Sequence, residues 1–133
     1  MLSEMNAPAS FLAIALVPDL MVSVRLESAV QRDGGRLTTL HYERDFFDAL
    51  SKGPQLAIVD LGMDGLDVIG LAEACKKAKV PLVAFGPHVD AKGLRAARAA
   101  GIPYVYTRSQ FMADVAGLLR AAITATEPAS TNG

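Results

Sequence analysis

Short runs of apolar and β-branched residues recur five times along the chain, and each is followed by a stretch with helical spacing of apolar positions. The runs predict five β-strands, at Phe11–Val17, Arg36–Leu40, Leu56–Val59, Pro81–Phe85 and Pro103–Tyr106. The third and fourth runs, LAIVD and PLVAF, are apolar at almost every position, which is typical of parallel strands covered on both faces. The second run, RLTTL, mixes polar and apolar positions and therefore predicts an edge strand.

Three apolar stripes with helical spacing predict helices that lie against this sheet. They are Val22, Leu26, Ala29 and Val30; Val68, Leu71, Ala72 and Cys75; and Met112, Val115, Ala116 and Leu119. Four short polar residues are predicted to cap helix starts, namely Asp19, Asp45, Asp90 and Ser109. Helices are predicted to end at Gly34-Gly35, Gly53-Pro54 and Gly101.

Five strand–helix units predict an α/β fold with a parallel sheet and helices on both faces. Such units commonly form the doubly wound, flavodoxin-like (βα)5 sandwich with strand order 2-1-3-4-5. That order places the carboxyl ends of strands one and three beside the point where the order reverses, and ligands bind at such points. Pro18 and Asp19 leave strand one and Asp60 ends strand three, so we expect two carboxylates in one crevice.

The chain has 133 residues, of which 51% are hydrophobic, and this is enough for one well-buried core. We expect one domain over residues 11–124, with a flexible leader at 1–10 and a flexible polar tail at 125–133. The longest apolar run, Phe11–Val17, has seven residues, whereas a membrane-spanning helix needs about 20. The sequence therefore predicts a domain that does not enter the membrane.

Charge and cysteine content narrow the function classes further. The formal net charge is −1, and this argues against nucleic acid as a partner because phosphates attract a basic surface. Cys75 is the only cysteine, so the sequence predicts no disulfide framework and a cytoplasmic location. Its place on an apolar helical stripe favours packing in the core over chemistry.

Asp19 and Asp60 are the candidate chemical groups of the crevice. Two carboxylates could bind Mg²⁺, a cation that takes oxygen ligands and keeps several waters. Alternatively, Asp19 only caps a helix and Asp60 only accepts hydrogen bonds from the loop after strand three. His41 and His88 make a weak zinc signal, although His88 is expected near the crevice. The sequence contains no Gly-rich phosphate loop, HExxH or nucleophile elbow, so we do not expect an enzyme.

Two segments resemble the receiver domain of two-component response regulators, and the likeness spans residues 11 to about 123. They are LAIVDLGMDGLDVIGLAEACKKAKVPLVAFGPHVD and AAGIPYVYTRSQF. In that family, an aspartate at the end of strand three accepts a phosphoryl group. The resemblance implies that Asp60 is the phosphoacceptor and that Asp19 is one of the two acids that hold Mg²⁺.

Several positions depart from the family pattern. They are Pro18 at the second acidic position, Gly86 or Pro87 at the position of a hydroxyl residue, Arg108 at that of a lysine with Ser109 in place of the following proline, and Val105 at that of an aromatic switch residue. Phosphoryl transfer depends on positioning and electrostatic stabilisation, so these changes matter more than the survival of one aspartate. We therefore expect an atypical receiver with at most weak Mg²⁺ binding and without aspartyl phosphorylation.

The resemblance implies a signalling module that binds other proteins through helix four, strand five and helix five. The predicted partner surface contains Arg95, Arg98, Tyr104 and Tyr106. The expected partners are signalling proteins such as a histidine kinase or an output protein, or a second copy of the chain as a homodimer. Five residues are expected to line the crevice: Pro18, Gly86, Pro87, His88 and Arg108.

Two other functions stay open on the sequence. One is a Mg²⁺-dependent receiver that a histidine kinase phosphorylates on Asp60. The other is a flavodoxin-like domain that binds a small molecule in a crevice lined by His88, Asp19 and Asp60.

Overall fold

Strands and helices alternate along the chain in the computed structural model, which describes residues 11–125. The strands are β1 (Leu12–Leu16), β2 (Arg36–Leu40), β3 (Leu56–Asp60), β4 (Leu82–Gly86) and β5 (Tyr104–Thr107). The helices are α1 (Leu20–Arg32), α2 (Glu43–Leu50), α3 (Val68–Ala78), α4 (Ala91–Ala99), α5 (Arg108–Ala113) and α6 (Val115–Ala125). The predicted leader and residues 126–133 of the predicted tail lie outside the described residues, and Ala125 is the last residue of α6.

The five strands form one parallel sheet in the order β2-β1-β3-β4-β5, which confirms the predicted fold class. The observed strands begin and end within one residue of the predicted ones. Every residue of β3 and β4 is buried, whereas β2 is half-buried or exposed along its length. The apolar runs therefore became the covered centre of the sheet, and the mixed run became an edge strand.

Successive side chains of a strand point to opposite faces, so the sheet has two cores. We call the side covered by α1, α5 and α6 the first face and the side covered by α2, α3 and α4 the second face. Phe85 and Phe111 lie in the core of the first face, and their rings stack with centroids 4.6 Å apart. Phe46 lies in the core of the second face, where Cys75 is also buried as predicted.

Two of the four predicted helix caps are confirmed and two are wrong. Asp19 and Asp90 cap α1 and α4. Asp45 instead lies in the first turn of α2, which begins after Tyr42. Ser109 lies inside α5, because Thr107 caps that helix and exchanges side-chain and backbone hydrogen bonds with Gln110. This reciprocal capping box satisfies two backbone groups and fixes the start of α5 one residue after β5.

The predicted single helix after β5 is divided in two at Asp114. The backbone of Asp114 leaves the helical region (φ −152°, ψ 57°), and its carboxylate accepts a hydrogen bond from the Gly117 N–H at 3.2 Å. Because an aspartate side chain competes for nearby amides, it favours a helix start over a helix interior. The apolar stripe runs on across the break, so Met112 and Val115 contribute to the same core from two helices.

Three of the four glycines predicted to end helices have the backbone that such ends need. Gly34, Gly53 and Gly101 all have positive φ, and each follows α1, α2 or α4. Glycine adopts this conformation without the strain that a Cβ atom adds. Among the helices that the structure describes, none combines the length and hydropathy needed to cross a bilayer.

Candidate functional site

Asp60 ends β3 at the carboxyl edge of the sheet, at the reversal of strand order. Its side chain is only 6% exposed, and Oδ1 accepts a hydrogen bond from the Gly62 N–H at 2.8 Å. The next residue, Leu61, donates its N–H to the Phe85 carbonyl at 2.8 Å, so the chain stays paired with β4 as it leaves the strand. The loop contact predicted for Asp60 is therefore present.

Asp19 caps α1 and also forms an ion pair across the sheet. Its Oδ1 accepts hydrogen bonds from the N–H groups of Met21 (2.8 Å) and Val22 (3.3 Å). Its Oδ2 accepts one from Nη2 of Arg108 at 3.0 Å, and about two fifths of each side chain is exposed. The hydrogen bond from Arg108, followed by that from Val22, lowers the pKa of Asp19 below its ordinary value of 3.8. Asp19 therefore stays ionised with both oxygens engaged by protein groups.

Arg108 reaches Asp19 by crossing the aromatic core residue of β4. Arg108 follows β5 and Asp19 follows β1, and β3 and β4 lie between these strands. The guanidinium carbon lies 5.8 Å from the ring centroid of Phe85, which itself stacks on Phe111. A planar guanidinium suits this place because it can lie over an aromatic ring and still donate to a carboxylate. The long side chain thus joins two separate strand ends.

The position after β4 leaves little room for a longer side chain. A Cβ atom placed on Gly86 would lie 3.2 Å from the Cβ of Leu61 and 3.5 Å from a methyl carbon of Leu94. The first contact requires Leu61 to shift by a few tenths of an ångström, whereas the second is an ordinary van der Waals contact. A hydroxyl side chain at Gly86 would therefore disturb the loop that leaves Asp60.

A groove of about 460 Å³ lies beside the ion pair and contains three of the five predicted crevice residues, Pro87, His88 and Arg108. Val89, Ser109 and Met112 complete its lining. Pro18 is exposed in the turn after β1, and Gly86 is buried at the end of β4. His41 is exposed in the turn after β2, the edge strand farthest from this groove.

The acidic groups do not form a metal cluster in the part of the chain that the structure describes. Within residues 11–125, no three His, Cys, Asp or Glu side chains are placed to hold one ion. Asp19 already pairs with a guanidinium, and Pro18 offers no side-chain ligand. Mg²⁺ keeps several waters and can be held by one or two carboxylates. The side-chain oxygens that the ends of β1 and β3 offer to such an ion are those of Asp60 and of the already paired Asp19.

The predicted partner surface is divided by the edge strand β5. Tyr104 and Tyr106 pack on the first face, whereas Arg95 and Arg98 belong to α4 on the second face. Nη2 of Arg98 donates to the Val105 carbonyl at 3.3 Å, which holds α4 against β5. Burial, and then the neighbouring Tyr104, raise the pKa of Tyr106. These four residues therefore flank the β5 edge from two sides.

Sequence reasoning missed a cluster of exposed apolar side chains at the start of α1. Leu20 and Met21 are 73% and 75% exposed, and Val24 is 51% exposed. Their spacing places them away from the buried stripe of Val22 and Leu26. A second apolar stripe on the same helix was the signal that could have revealed them.

Comparison with solved structures identifies the fold. Neither the family models nor the curated proteins gave a match to this sequence. A response regulator from Thermotoga maritima is similar with a TM-score of 0.73 and 12% identity, covering 87% of this chain and 99% of that chain. Full-length FixJ from B. japonicum is similar with a TM-score of 0.75 and 21% identity, covering 90% of this chain and 61% of that chain.

A third structure is described with a metal at its site. The receiver domain of the sensor histidine kinase PA1611 from Pseudomonas aeruginosa PAO1 has a magnesium ion coordinated in its active-site cleft. It matches with a TM-score of 0.71 and 15% identity, covering 87% of this chain and 99% of that chain. At identities this low, the likeness shows the fold and not the activity. The chain therefore has the receiver fold.

Proposed function

We propose that this protein is a receiver-fold signalling module that binds other proteins and works without phosphorylation of Asp60. The ion pair between Arg108 and Asp19 carries the proposal, because it puts a protein cation where the crevice would otherwise attract a metal ion. A phosphoryl group and its Mg²⁺ need a set of oxygen ligands and a positioned cation. Here the cation is part of the chain and is already bound to a carboxylate.

The strand ends on either side of Asp60 support the same proposal. Pro18, after β1, stands where the resemblance to receiver domains implies the second acidic residue. Gly86 offers no hydroxyl at the end of β4, and a Cβ atom there would press against Leu61. Asp60 keeps its place at the end of β3, but the groups that would position a phosphoryl oxygen around it are changed.

A titration of Mg²⁺ with beryllofluoride, a mimic of phosphoaspartate, tests the proposal. Backbone amide shifts around Asp60 and Arg108 are followed in isotope-labelled protein, with Asp60→Asn as the matched control. We expect no saturable shift in the wild type at millimolar ligand. Saturable shifts that the control lacks would contradict the proposal and favour a receiver that accepts a phosphoryl group on Asp60.

A double variant tests whether Pro18 and Arg108 are the reason that the crevice does not bind Mg²⁺ with beryllofluoride. Pro18→Asp combined with Arg108→Lys restores a second carboxylate and replaces the guanidinium by a compact ammonium. We expect this double variant to show saturable shifts with Mg²⁺ and beryllofluoride at concentrations where the wild type shows none. An unchanged response would mean that the ion pair is not what closes the crevice to the metal.

A further inference from the structure

A cavity of about 140 Å³ opens beside the last turn of α3, at the amino ends of β4 and β5. Because the strands are parallel, this edge of the sheet lies opposite the edge that carries Asp60. Five buried residues form the inside of the cavity, and three exposed residues form its mouth. The cavity is therefore separate from the crevice that contains Asp19 and Asp60.

The inside of the cavity is apolar and belongs to the core of the second face. Its five members are at most 7% exposed, and they are Ala72, Cys75, Val80, Leu82 and Ile102. The thiol of Cys75 behaves as an apolar group, because burial raises its pKa to about 12 and keeps it protonated. An apolar ligand group gains free energy when it leaves water for such a surface.

Two helix ends hold the walls of the cavity in place. Lys79 follows α3 in the left-handed conformation (φ 61°), and the Val80 N–H donates to a carbonyl in the last turn of α3 at 2.9 Å. Gly101 follows α4 in the same conformation (φ 94°), and the Ile102 N–H donates to a carbonyl in the last turn of α4 at 3.2 Å. Both ends carry the long hydrogen bond of a Schellman motif. The cavity is therefore formed before any ligand arrives, as is usual for small-molecule sites.

The volume of the cavity suits one six-membered ring. An apolar cavity of about 150 Å³ engineered in another protein binds benzene, and the cavity beside α3 is nearly as large. It opens to solvent where Lys76, Gly101 and Pro103 are exposed. A ring can therefore fill the inside while a substituent extends through the mouth into water.

The charge at the mouth favours an anionic substituent. Lys76 is the one charged residue of the lining. Within residues 11–125, its ammonium has no hydrogen bond or ion pair. Lys77 and Lys79 follow it, and Glu73 is the one acidic residue of α3 and does not line the cavity. A carboxylate at the mouth would thus meet a lysine without a competing acid in the lining.

We propose that this cavity binds a small molecule with one apolar ring and one carboxylate. The ring fills the space beside Cys75, Leu82 and Ile102, and the carboxylate pairs with the Lys76 ammonium. This ligand site goes beyond the proposed protein-binding function and does not depend on the state of Asp60.

A wider groove beside α3 and α4 provides an internal comparison. It has a volume of about 510 Å³ and is lined mainly by apolar residues: Leu66, Val68, Ile69, Ala96, Ala99 and Ala100. Asp67 is the one charged residue of its lining, and Ile69 is 62% exposed. A carboxylate meets an acid and no cation there, so the same ligand should not bind in this groove.

Benzoate tests the site because it has one ring and one carboxylate. It is titrated into the isotope-labelled full chain at neutral pH, and backbone amide shifts are followed. Benzylamine presents the same ring with a cation, and acetate presents the carboxylate without a ring. We expect benzoate to give saturable shifts at residues 72–82 and 101–103 below about 10 mM. The other two probes should bind about tenfold more weakly or worse.

Two pairs of matched variants separate the ring site from the charge. Ala72→Leu fills the cavity, whereas Ala96→Leu adds the same carbons in the wider groove. Ala72→Leu should abolish benzoate binding, and Ala96→Leu should leave it unchanged. Lys76→Gln should weaken benzoate binding about fivefold, whereas Lys77→Gln, outside the lining, should leave it nearly unchanged. Lys76 is exposed, so the second pair tests the site even if Ala72→Leu does not fold.

Four results would overturn the proposal. They are no saturable shift with millimolar benzoate, equal affinity for benzoate and benzylamine, shifts centred on residues 66–69, or undiminished benzoate binding in folded Ala72→Leu. The beryllofluoride titration reports on Asp60 at the opposite edge of the sheet. A failed benzoate test would therefore reject the ligand site and leave the proposed function standing, whereas a saturable beryllofluoride titration would reject the proposed function and leave the ligand site standing.

Discussion

The two faces of the sheet are filled differently beside β4. On the first face, Phe85 of β4 stacks on Phe111, and both rings are fully buried. On the second face, β4 contributes Leu82 and Ala84, and α4 covers this face with Leu94 and small residues such as Ala97. Beside β4 the core of the first face is therefore filled by an aromatic stack, whereas cavities of about 140 and 510 Å³ border α3 on the second face. The first face has surface grooves of its own, between α1 and α6 and beside Arg108.

The difference comes from how each strand distributes its larger side chains. At β4 the large ring points to the first face, whereas at β1 the larger residues Ile14 and Leu16 point to the second, where Phe46 meets them. The core of the second face consequently consists of large side chains near α2 and of smaller ones near α4. One sheet can thus support a rigid anchor for Arg108 on one side and an accessible groove on the other.

Phe111→Ala tests the packing of the first face and should lower the free energy of unfolding the most. Removing a fully buried ring that stacks on Phe85 leaves a cavity in a well-packed core, which costs roughly 3–5 kcal/mol. Cys75→Ala, beside the cavity of the second face, should cost about 1 kcal/mol or less. Urea denaturation gives both free energies of unfolding. Equal losses in the two variants would mean that the faces are packed alike.

Two alanine-to-leucine substitutions sharpen the comparison. Ala122 on α6 is fully buried in the first face, so Ala122→Leu should overpack it and lower the free energy of unfolding by about 1–3 kcal/mol. Ala72 on α3 borders the 140 Å³ cavity, so the added carbons of Ala72→Leu have room and the loss should stay below about 1 kcal/mol. Both residues are helical, so helix propensity changes equally in the pair. A larger loss for Ala72→Leu in urea denaturation would show that the cavity cannot take a side chain.

Arg108→Gln removes the partly exposed ion pair with Asp19 and should change the free energy of unfolding the least. A carboxyl whose folded pKa is depressed adds stability above its unfolded pKa, and this stability is lost as the pH falls through the folded pKa. The stabilising effect of Arg108 should therefore be present at neutral pH and vanish as the pH falls well below 3.8, the ordinary pKa of Asp19.

Carboxyl-carbon chemical shifts measure the pKa of Asp19 directly. It should lie below 3.8 in the wild type and rise in Arg108→Gln, because the largest cause of the shift is removed. Arg120→Gln is the matched control, since Arg120 pairs with Asp33 at 3.1 Å elsewhere on the surface. An unchanged Asp19 pKa in Arg108→Gln, or an equal rise in the control, would show that Arg108 does not hold this carboxylate.

The pattern of apolar residues predicted the sheet because each strand is encoded by a short apolar run in its own segment. The runs at β3 and β4 fixed the buried centre of the sheet, and the residues that end β1 and β3 placed Asp19 and Asp60 at the same edge. The division at Asp114 escaped prediction because the apolar stripe satisfies helical spacing on both sides of it. Periodicity reports which face is buried and does not report a change of axis.

The Arg108–Asp19 ion pair and the groove beside α3 and α4 could not be predicted from the sequence, for a different reason. Arg108 and Asp19 are 89 positions apart, and the path between them depends on the ring of Phe85. The groove is space that side chains leave unfilled, and alanines in α4 are equally compatible with close helix packing. Only the placement of α3 relative to α4 distinguishes the two cases.

Three helices begin with an aspartate that caps a glycine three residues later. The pairs are Asp67 with Gly70, Asp90 with Gly93 and Asp114 with Gly117. A Cβ atom on any of these glycines would collide with the capping carboxylate as it now lies. Each collision is with the end of a flexible side chain, so a larger residue in place of one of these glycines would displace the carboxylate. The first turn of that helix would then lose its side-chain cap, which costs about 1 kcal/mol. At these three helix starts, the residue three positions after the cap thus decides whether the cap can form.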